Sequence, residues 1–485
     1  METQKKDEET TLDGGGRLIT VVELPLEVGS GAFNLEKTVC SHGLFMMAPN
    51  YWDPQSKTLQ RPLRLSLDFD HPDYQTSLTV RISQPFDSPQ TLNIQVFGTD
   101  SLSHQHRHCL LDQVRRMLRL SEEDDRNVKE FQEIYGEAKE KEFGRVFRSP
   151  ALFEDMVKCI LLCNCQWSRT LSMSRALCEL QWELQNPISA PKVDHFIPKT
   201  PARKESKRKH RVMNCPTNLT NRFLEAKTLQ EEVSISNRND DDAKDCFQVQ
   251  LAGDLSPEFV KLDKSCDPCQ RTTEVVTTMS CSPSSQSSEG SEPYYQSRIG
   301  NFPSPKELAS VDETFLAKRC NLGYRASRVL KFAQDVVEGK IRLKELEEAC
   351  RIPCVSNYDK ILDQLKAING FGPFTCANVL MCMGFYHIIP TDTETIRHLK
   401  QVHAKNSTIK TVQKEVEEIY GKYAPFQFLA YWSEVWQFYE EWFGKSSEMD
   451  PSCYKLITAA NMKQKQKKNG ANKRTKTSVT DSSAG

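Results

Sequence analysis

Asp392 is the residue of this chain whose type and neighbours most suggest chemistry. It follows Pro390 and Thr391, twenty residues beyond Gly372 of a Gly370-Phe371-Gly372 turn. A lone carboxylate at a reacting centre can stabilise developing positive charge, most strongly where water is excluded. The glycine turn offers a complementary function. Gly permits positive φ and close backbone approach, so the N–H groups from Gly370 to Thr375 can be presented to a phosphate. Pro373 suits the first position of a helix, where a missing N–H costs nothing, and that helix points its positive end the same way.

The elements that must hold these residues are short helices. Apolar Leu365 and Ile368 precede the turn, and Thr375 to Gly384 is helix-forming. Thr391-x-x-Glu394 reads as a capping box. That reading puts Asp392 in the first turn of the next helix, gives Glu394 the capping role, and lets the helix dipole favour an ionised Asp392. Lys366 and Arg397 could add phosphate contacts, although a solvated helix face explains them equally well. A lone Gly-x-Gly means little more than a helix corner; the ordered set carries more weight.

The rest of the chain divides by composition. Residues 1–16 are charged and glycine-ended and read as disordered, with no secretory signal. Residues 17–110 read as β-rich, with strands expected at Arg17–Leu26, Gly43–Tyr51, Pro62–Asp68, Ser77–Ser83 and Thr91–Phe97. Residues 111–185 follow helical spacing. Residues 186–298 are rich in Ser, Asp, Lys and Pro and read as a disordered insert. Helical patterning returns over 299–462, and 463–485 is a basic, disordered tail. The two helical blocks are expected to form one domain, since an insertion at an exposed loop costs little loop entropy.

The whole chain has 485 residues, 38% of them hydrophobic, with mean hydropathy −0.57 and net charge −1. No apolar stretch reaches membrane-spanning length; Val379 to Ile389 is interrupted by Gly384 and His387. Seventeen cysteines without a secretory signal suggest reduced thiols. Positive charge is concentrated in two runs: 201–211 holds six Lys/Arg, and 463–476 holds seven with no acid. Such runs suit nuclear import or DNA tethering, so the nucleus is the expected location.

The hairpin with its Pro390-x-Asp392 resembles the helix-hairpin-helix, Gly/Pro-rich-loop and catalytic-aspartate superfamily of base-excision DNA glycosylases (HhH-GPD). Leu322-Gly323-Tyr324-Arg325-Ala326 is similar to the approach to the hairpin in the 8-oxoguanine branch. Asn164-Cys165-Gln166-Trp167 is similar to the loop that fills the gap left by a flipped base. The N-terminal sheet matches the extra β domain of the 8-oxoguanine and 3-methyladenine II branches. The resemblance covers most of 17–185 and 300–445. It implies an α+β fold, an antiparallel sheet followed by a helical glycosylase domain.

By the same resemblance, Asp392 would be catalytic, and Gly370, Phe371, Gly372, Pro373 and Thr375 would bind the DNA backbone. Asn164, Gln166, Phe374 and Tyr324 would form the base pocket or wedge. Trp432 and Trp436 are pocket alternatives, though aromatics at that spacing are more often core. Trp167 is read as a partly buried helix start. The partner would be double-stranded DNA carrying damaged bases, with downstream repair enzymes following; no membrane is involved and a monomer is expected.

Two departures shape the mechanism. Bifunctional branches carry a lysine two residues after the second hairpin glycine, where this chain has Phe374, so no amine is placed for Schiff-base chemistry. Only Cys453 follows Asp392, so the iron–sulfur cluster of the endonuclease III branch cannot be assembled there. No cofactor is required and no metal is expected at the site, apart from a monovalent cation that the family implies at the hairpin. Cys266-Asp-Pro-Cys269 is weak evidence for zinc. A monofunctional glycosylase for an alkylated purine is therefore the first reading. An oxidised-purine enzyme and a non-catalytic damage-binding protein are the alternatives.

Overall fold

The computed structural model describes residues 10–12, 18–26, 33–68, 76–187, 298–350 and 355–462. Among them six strands form one antiparallel sheet: β1 Thr10–Leu12, β2 Leu18–Pro25, β3 Tyr51–Asp53, β4 Thr58–Arg64, β5 Ser77–Ser83 and β6 Thr91–Phe97. Their order is β1-β2-β6-β5-β4-β3. The register pairs Ile94 with Val22 on one side and Ile82 on the other, and Val96 with Val80. All five are buried. Strand alternation therefore puts one apolar face inward, as expected for a sheet covered on one side.

Three expectations change. Gly43–Tyr51 is not a strand; Gly43–Met46 forms a 3-10 turn, with His42 Nδ1 accepting from the Leu44 N–H at 3.3 Å. A continuous apolar run has no period that separates a buried strand from a buried turn. β4 begins at Thr58, not Pro62, and carries Pro62 in its interior. Because β3 pairs only with Thr58–Gln60, no β3 residue lies opposite Pro62 to want its missing N–H. Thr10–Leu12, inside the stretch expected to be disordered, pairs with β2 as an edge strand.

Helices α1 Leu35–Val39, α2 His104–Leu118, α3 Glu122–Ile134, α4 Gly136–Glu140, α5 Leu152–Leu162 and α6 Trp167–Gln185 come first. After them come α7 Pro305–Ala309, α8 Glu313–Arg319, α9 Arg325–Val337, α10 Leu343–Ala349, α11 Val355–Lys366, α12 Pro373–Met383, α13 Thr393–Val402, α14 Val412–Tyr420 and α15 Gln427–Phe443. Residues 188–297, nearly all of the expected insert, lie outside the described residues, as do both basic runs and Cys266 and Cys269. The chain resumes close to where it left: the Gly300 N–H donates to Cys178 O at 3.1 Å, and Arg298 lies 5.8 Å from the centre of the Trp182 ring. α5 packs on α9 and α12, so the two sequence blocks share one core.

α5 and α12 are the innermost helices. Leu152 to Leu161 and Thr375 to Met383 are buried without a break, as helices enclosed on all sides must be. α5 also ties the helices to the sheet through charge. Arg61 of β4 meets both Glu154 oxygens at 3.2 and 2.9 Å. Lys158 Nζ lies 2.7 Å from Glu154 Oε1, in ion contact but off the hydrogen-bond direction. All three are buried. Burial opposes the Glu154 charge, yet Arg61 and Lys158 outweigh it and hold the carboxyl at about 2.

Candidate active site

Asp392 is the N-cap of α13, with extended backbone. Its Oδ1 accepts from the N–H groups of Glu394 (3.0 Å) and Thr395 (2.9 Å), and the Thr395 hydroxyl lies 3.1 Å away. That hydroxyl also sits 2.5 Å from Pro390 O and 3.2 Å from the Tyr431 hydroxyl. The capping box thus falls one residue later than the sequence suggests, with Asp392 as cap and Thr395 as partner. Asp is at least as good a cap as Thr, so both frames are open to the chain.

This shift matters chemically. Every described hydrogen bond to the carboxylate lands on Oδ1, so helix capping holds the group rigid and leaves Oδ2 for the cleft that Asp392 lines. Burial pushes its pKa above the ordinary aspartate value, and the Glu394 charge adds to this, while the Thr395 and Glu394 hydrogen bonds oppose it. The direction is opposite to the one expected from a helix start, because desolvation outweighs the hydrogen bonds donated there.

The cleft has a volume of about 250 Å³ and a largely aromatic wall. Phe428, Trp432 and Trp436 stack in series along α15, with ring centres 5.9 and 5.7 Å apart. Trp432 Nε1 donates to Ser41 O at 2.9 Å, fixing the ring, and His42 lies 4.4 Å from it. Trp167 donates from Nε1 to Tyr454 O at 3.1 Å and also faces the cleft. Gly43 makes room for it, since a Cβ there would lie 3.2 Å from the Trp167 ring. Phe374 and Asn378 of α12 complete the side nearest the hairpin.

Glu394 is not the cap. Its Oε1 accepts from the Tyr439 hydroxyl at 2.6 Å, and Arg397 Nε binds its Oε2 at 2.9 Å. Glu394 is therefore a second carboxylate lining the cleft. Arg397 is largely buried by this pairing and lies 5.3 Å from both the Phe438 and Tyr439 ring centres, so neither a solvated face nor a phosphate contact describes it. Lys366 is exposed and pairs with Asp363 at 3.3 Å.

His42 has no role in the sequence reading. Burial, with the Arg119 charge adding, pushes it down to about 3. It is therefore neutral near pH 7. Because Nδ1 accepts from Leu44, the ring proton is on Nε2, giving the cleft a neutral donor. A single histidine in an apolar run carries no sequence signal of this role.

At the hairpin, Gly370 has φ +86°, whereas Gly372 is extended at φ −87°. Phe371 is buried against Phe332, 5.8 Å between ring centres, and anchors the turn. α12 starts at Pro373 with no side-chain cap, leaving its first-turn amides without one, and Gly372 and Pro373 are exposed beside them. The Thr375 side chain is buried, its hydroxyl 3.0 Å from Cys163 Sγ, so only its backbone is available for the expected contact.

That contact ties α12 to the Cys163–Gln166 loop. Asn164 takes φ +45° and is exposed, as is Gln166. Arg325, buried, donates from Nη2 to Asn164 O at 3.0 Å and to Cys163 O, and the Tyr324 hydroxyl donates to Cys163 O at 3.3 Å. Asn164, Gln166 and Tyr324 lie outside the cleft lining, while their neighbours Leu162 and Trp167 are in it. Phe374, Trp432 and Trp436 are in the lining; the two tryptophans are pocket wall and not only core.

Two histidines and a glutamate also converge away from the cleft: His398, His403 and Glu434.

No protein-family profile matches the sequence, and no curated protein does. Solved structures do show likeness. The chain is similar to the 8-oxoguanine glycosylase/lyase of Clostridium acetobutylicum in its apo form, with TM-score 0.44 and 11% identity over 88% of this chain and 98% of that one. The same enzyme in complex with double-stranded DNA containing cytosine opposite 8-oxoguanine gives TM-score 0.44 and 11% identity over 89% and 98%. The 3-methyladenine DNA glycosylase of Archaeoglobus fulgidus gives TM-score 0.45 and 13% identity over 85% and 98%.

Proposed function

We propose that this chain is a monofunctional DNA glycosylase that excises a damaged, alkylated purine from duplex DNA. The observation that carries the reading is the rigidly capped Asp392, its Oδ2 free of described hydrogen bonds, in an aromatic cleft bordered by the first turn of the hairpin helix. The uncapped amides of α12 would take a phosphate, fixing register without reading sequence. Backbone carbonyls of the 368–372 turn would hold the monovalent cation expected there. Bound, it would add positive charge toward that phosphate.

The target nucleotide would leave the stack at a cost of a few kcal/mol, with Asn164 and Gln166 on their exposed loop filling the gap. The base would enter among Phe374, Trp432 and Trp436, whose faces stack on any purine. They bind a cationic, alkylated one better through cation–π attraction. The Asp392 carboxylate favours the same charge. As the C1′–N bond breaks, its electron pair leaves with the base, and positive charge grows on the sugar beside Asp392. Water then adds to C1′ and gives up its proton to the carboxylate or to solvent. An alkylated cationic base departs neutral without needing a proton, and none of the cleft-lining side chains among the described residues is a lysine.

The product, an abasic site, would require a strand-incising enzyme next. The basic runs fit a nuclear protein, and the chain would act as a monomer. Duplexes each carrying one modified base, incubated with the protein and then treated with hot alkali, test the reading. Breaks that depend on alkali at an alkylated purine support it. Breaks without alkali would mean lyase chemistry, breaks only at oxidised purines would favour the second substrate class, and gel shifts without breaks would leave a damage-binding protein.

A further inference from the structure

The last turns of α13 and α14 and the middle of α15 meet at one polar point. His398 Nε2 lies 3.3 Å from Glu434 Oε2 and 3.3 Å from the Tyr420 hydroxyl. His403 Nε2 lies 2.8 and 3.0 Å from the same two oxygens, which are 2.6 Å apart. An ordinary hydrogen-bond chain runs from donor to acceptor to the next donor. Here both ring nitrogens approach both oxygens, and the Tyr420 hydroxyl donates to Glu434 Oε2, so the four atoms form a closed knot. Tetrahedral ligands about 2.0–2.1 Å from a zinc ion stand roughly 3.3–3.4 Å apart. The two 3.3 Å edges already have that spacing, and the three shorter ones reach it by opening about 0.3 to 0.8 Å.

We propose that His398, His403, Glu434 and Tyr420 bind one structural zinc ion. Two neutral imidazoles and a carboxylate form a nitrogen–oxygen donor set that zinc accepts, and Tyr420 closes the coordination sphere as phenolate, the proton it now donates to Glu434 being released to solvent as the ion binds. His398 is fully buried, while His403 and Glu434 keep 24% and 20% of their side-chain surface, which leaves an entry path. The ion would pin α13 from behind. Tyr431, which packs edge-on against His398 at 5.4 Å, also touches the Thr395 hydroxyl of the Asp392 cap. The site stands independently of the proposed enzymatic activity.

The test uses the full chain with Cys266→Ser and Cys269→Ser, so that zinc held by that pair does not count. After exposure to zinc and removal of loosely bound metal, elemental analysis should find about one zinc per chain, and chelation should lower the thermal midpoint. Adding His403→Gln and Glu434→Gln should abolish both effects. If that variant does not fold, cobalt loading of the parent decides: a tetrahedral spectrum without thiolate charge-transfer bands is expected. Less than a tenth of a zinc per parent chain, full retention in the variant, or no tetrahedral cobalt spectrum would overturn the assignment.

Discussion

At the residue scale, the carboxylate of Asp392 does two jobs with its two oxygens. Oδ1 satisfies the helix start, and Oδ2 is left for the cleft. The protonated acid cannot stabilise a cationic sugar, so excision should fall as pH drops through the Asp392 pKa. Burial raises that pKa above 3.8, so the acid limb of the single-turnover rate should lie above pH 3.8. A limb at or below that value, in DNA whose own pairing survives, would contradict the burial described here. Trp432→Ala removes the middle ring of the stack. It should weaken transition-state binding by about 1–3 kcal/mol, read as a loss of kcat/KM on the preferred lesion with undamaged-DNA affinity nearly unchanged. The carboxylate is legible in the sequence because its spacing from the glycine turn is a local pattern. His42 and the Trp432–Trp436 wall are not, since what makes them pocket is packing between residues far apart in the chain.

At the element scale, the buried Arg61–Glu154–Lys158 group ties the sheet to the helices. Removing its only acid leaves two cations buried together, so Glu154→Gln should cost about 3–5 kcal/mol, measured by urea unfolding at neutral pH. The pH dependence follows from the depressed carboxyl. Its contribution is complete above about 4.5, the ordinary value, and is lost as pH falls toward about 2. The slope of stability between those limits should flatten in the variant. Sequence spacing locates most strands and helices, because alternation and 3.6-residue periodicity are local. It fails at Gly43–Met46, where an unbroken apolar run has no period, and at Pro62, whose tolerance depends on how far β3 extends. The capping frame at Asp392 slips by one for a similar reason: Thr391 and Asp392 are both competent caps, and contacts from Pro390 and Tyr431 select between them.

At the scale of the molecule, the helical body is assembled from two segments whose ends meet at Cys178 and Gly300. Replacing 188–297 by a short glycine–serine linker should therefore preserve the fold, with a thermal midpoint within a few degrees of the full chain; a collapse of cooperative unfolding would show that the segment is needed. The division into sheet and helices can be read from the sequence pattern, whereas the zinc knot cannot, its ligands being drawn from three helices across 37 residues. All the chemistry proposed for the cleft depends on Asp392 acting on the sugar. Single-turnover excision of an alkylated purine by Asp392→Asn, with duplex binding measured on the same preparation, tests that most directly. Excision should fall at least about a hundredfold while binding changes only a few-fold. An Asp392→Asn protein that excises at the parent rate would contradict it.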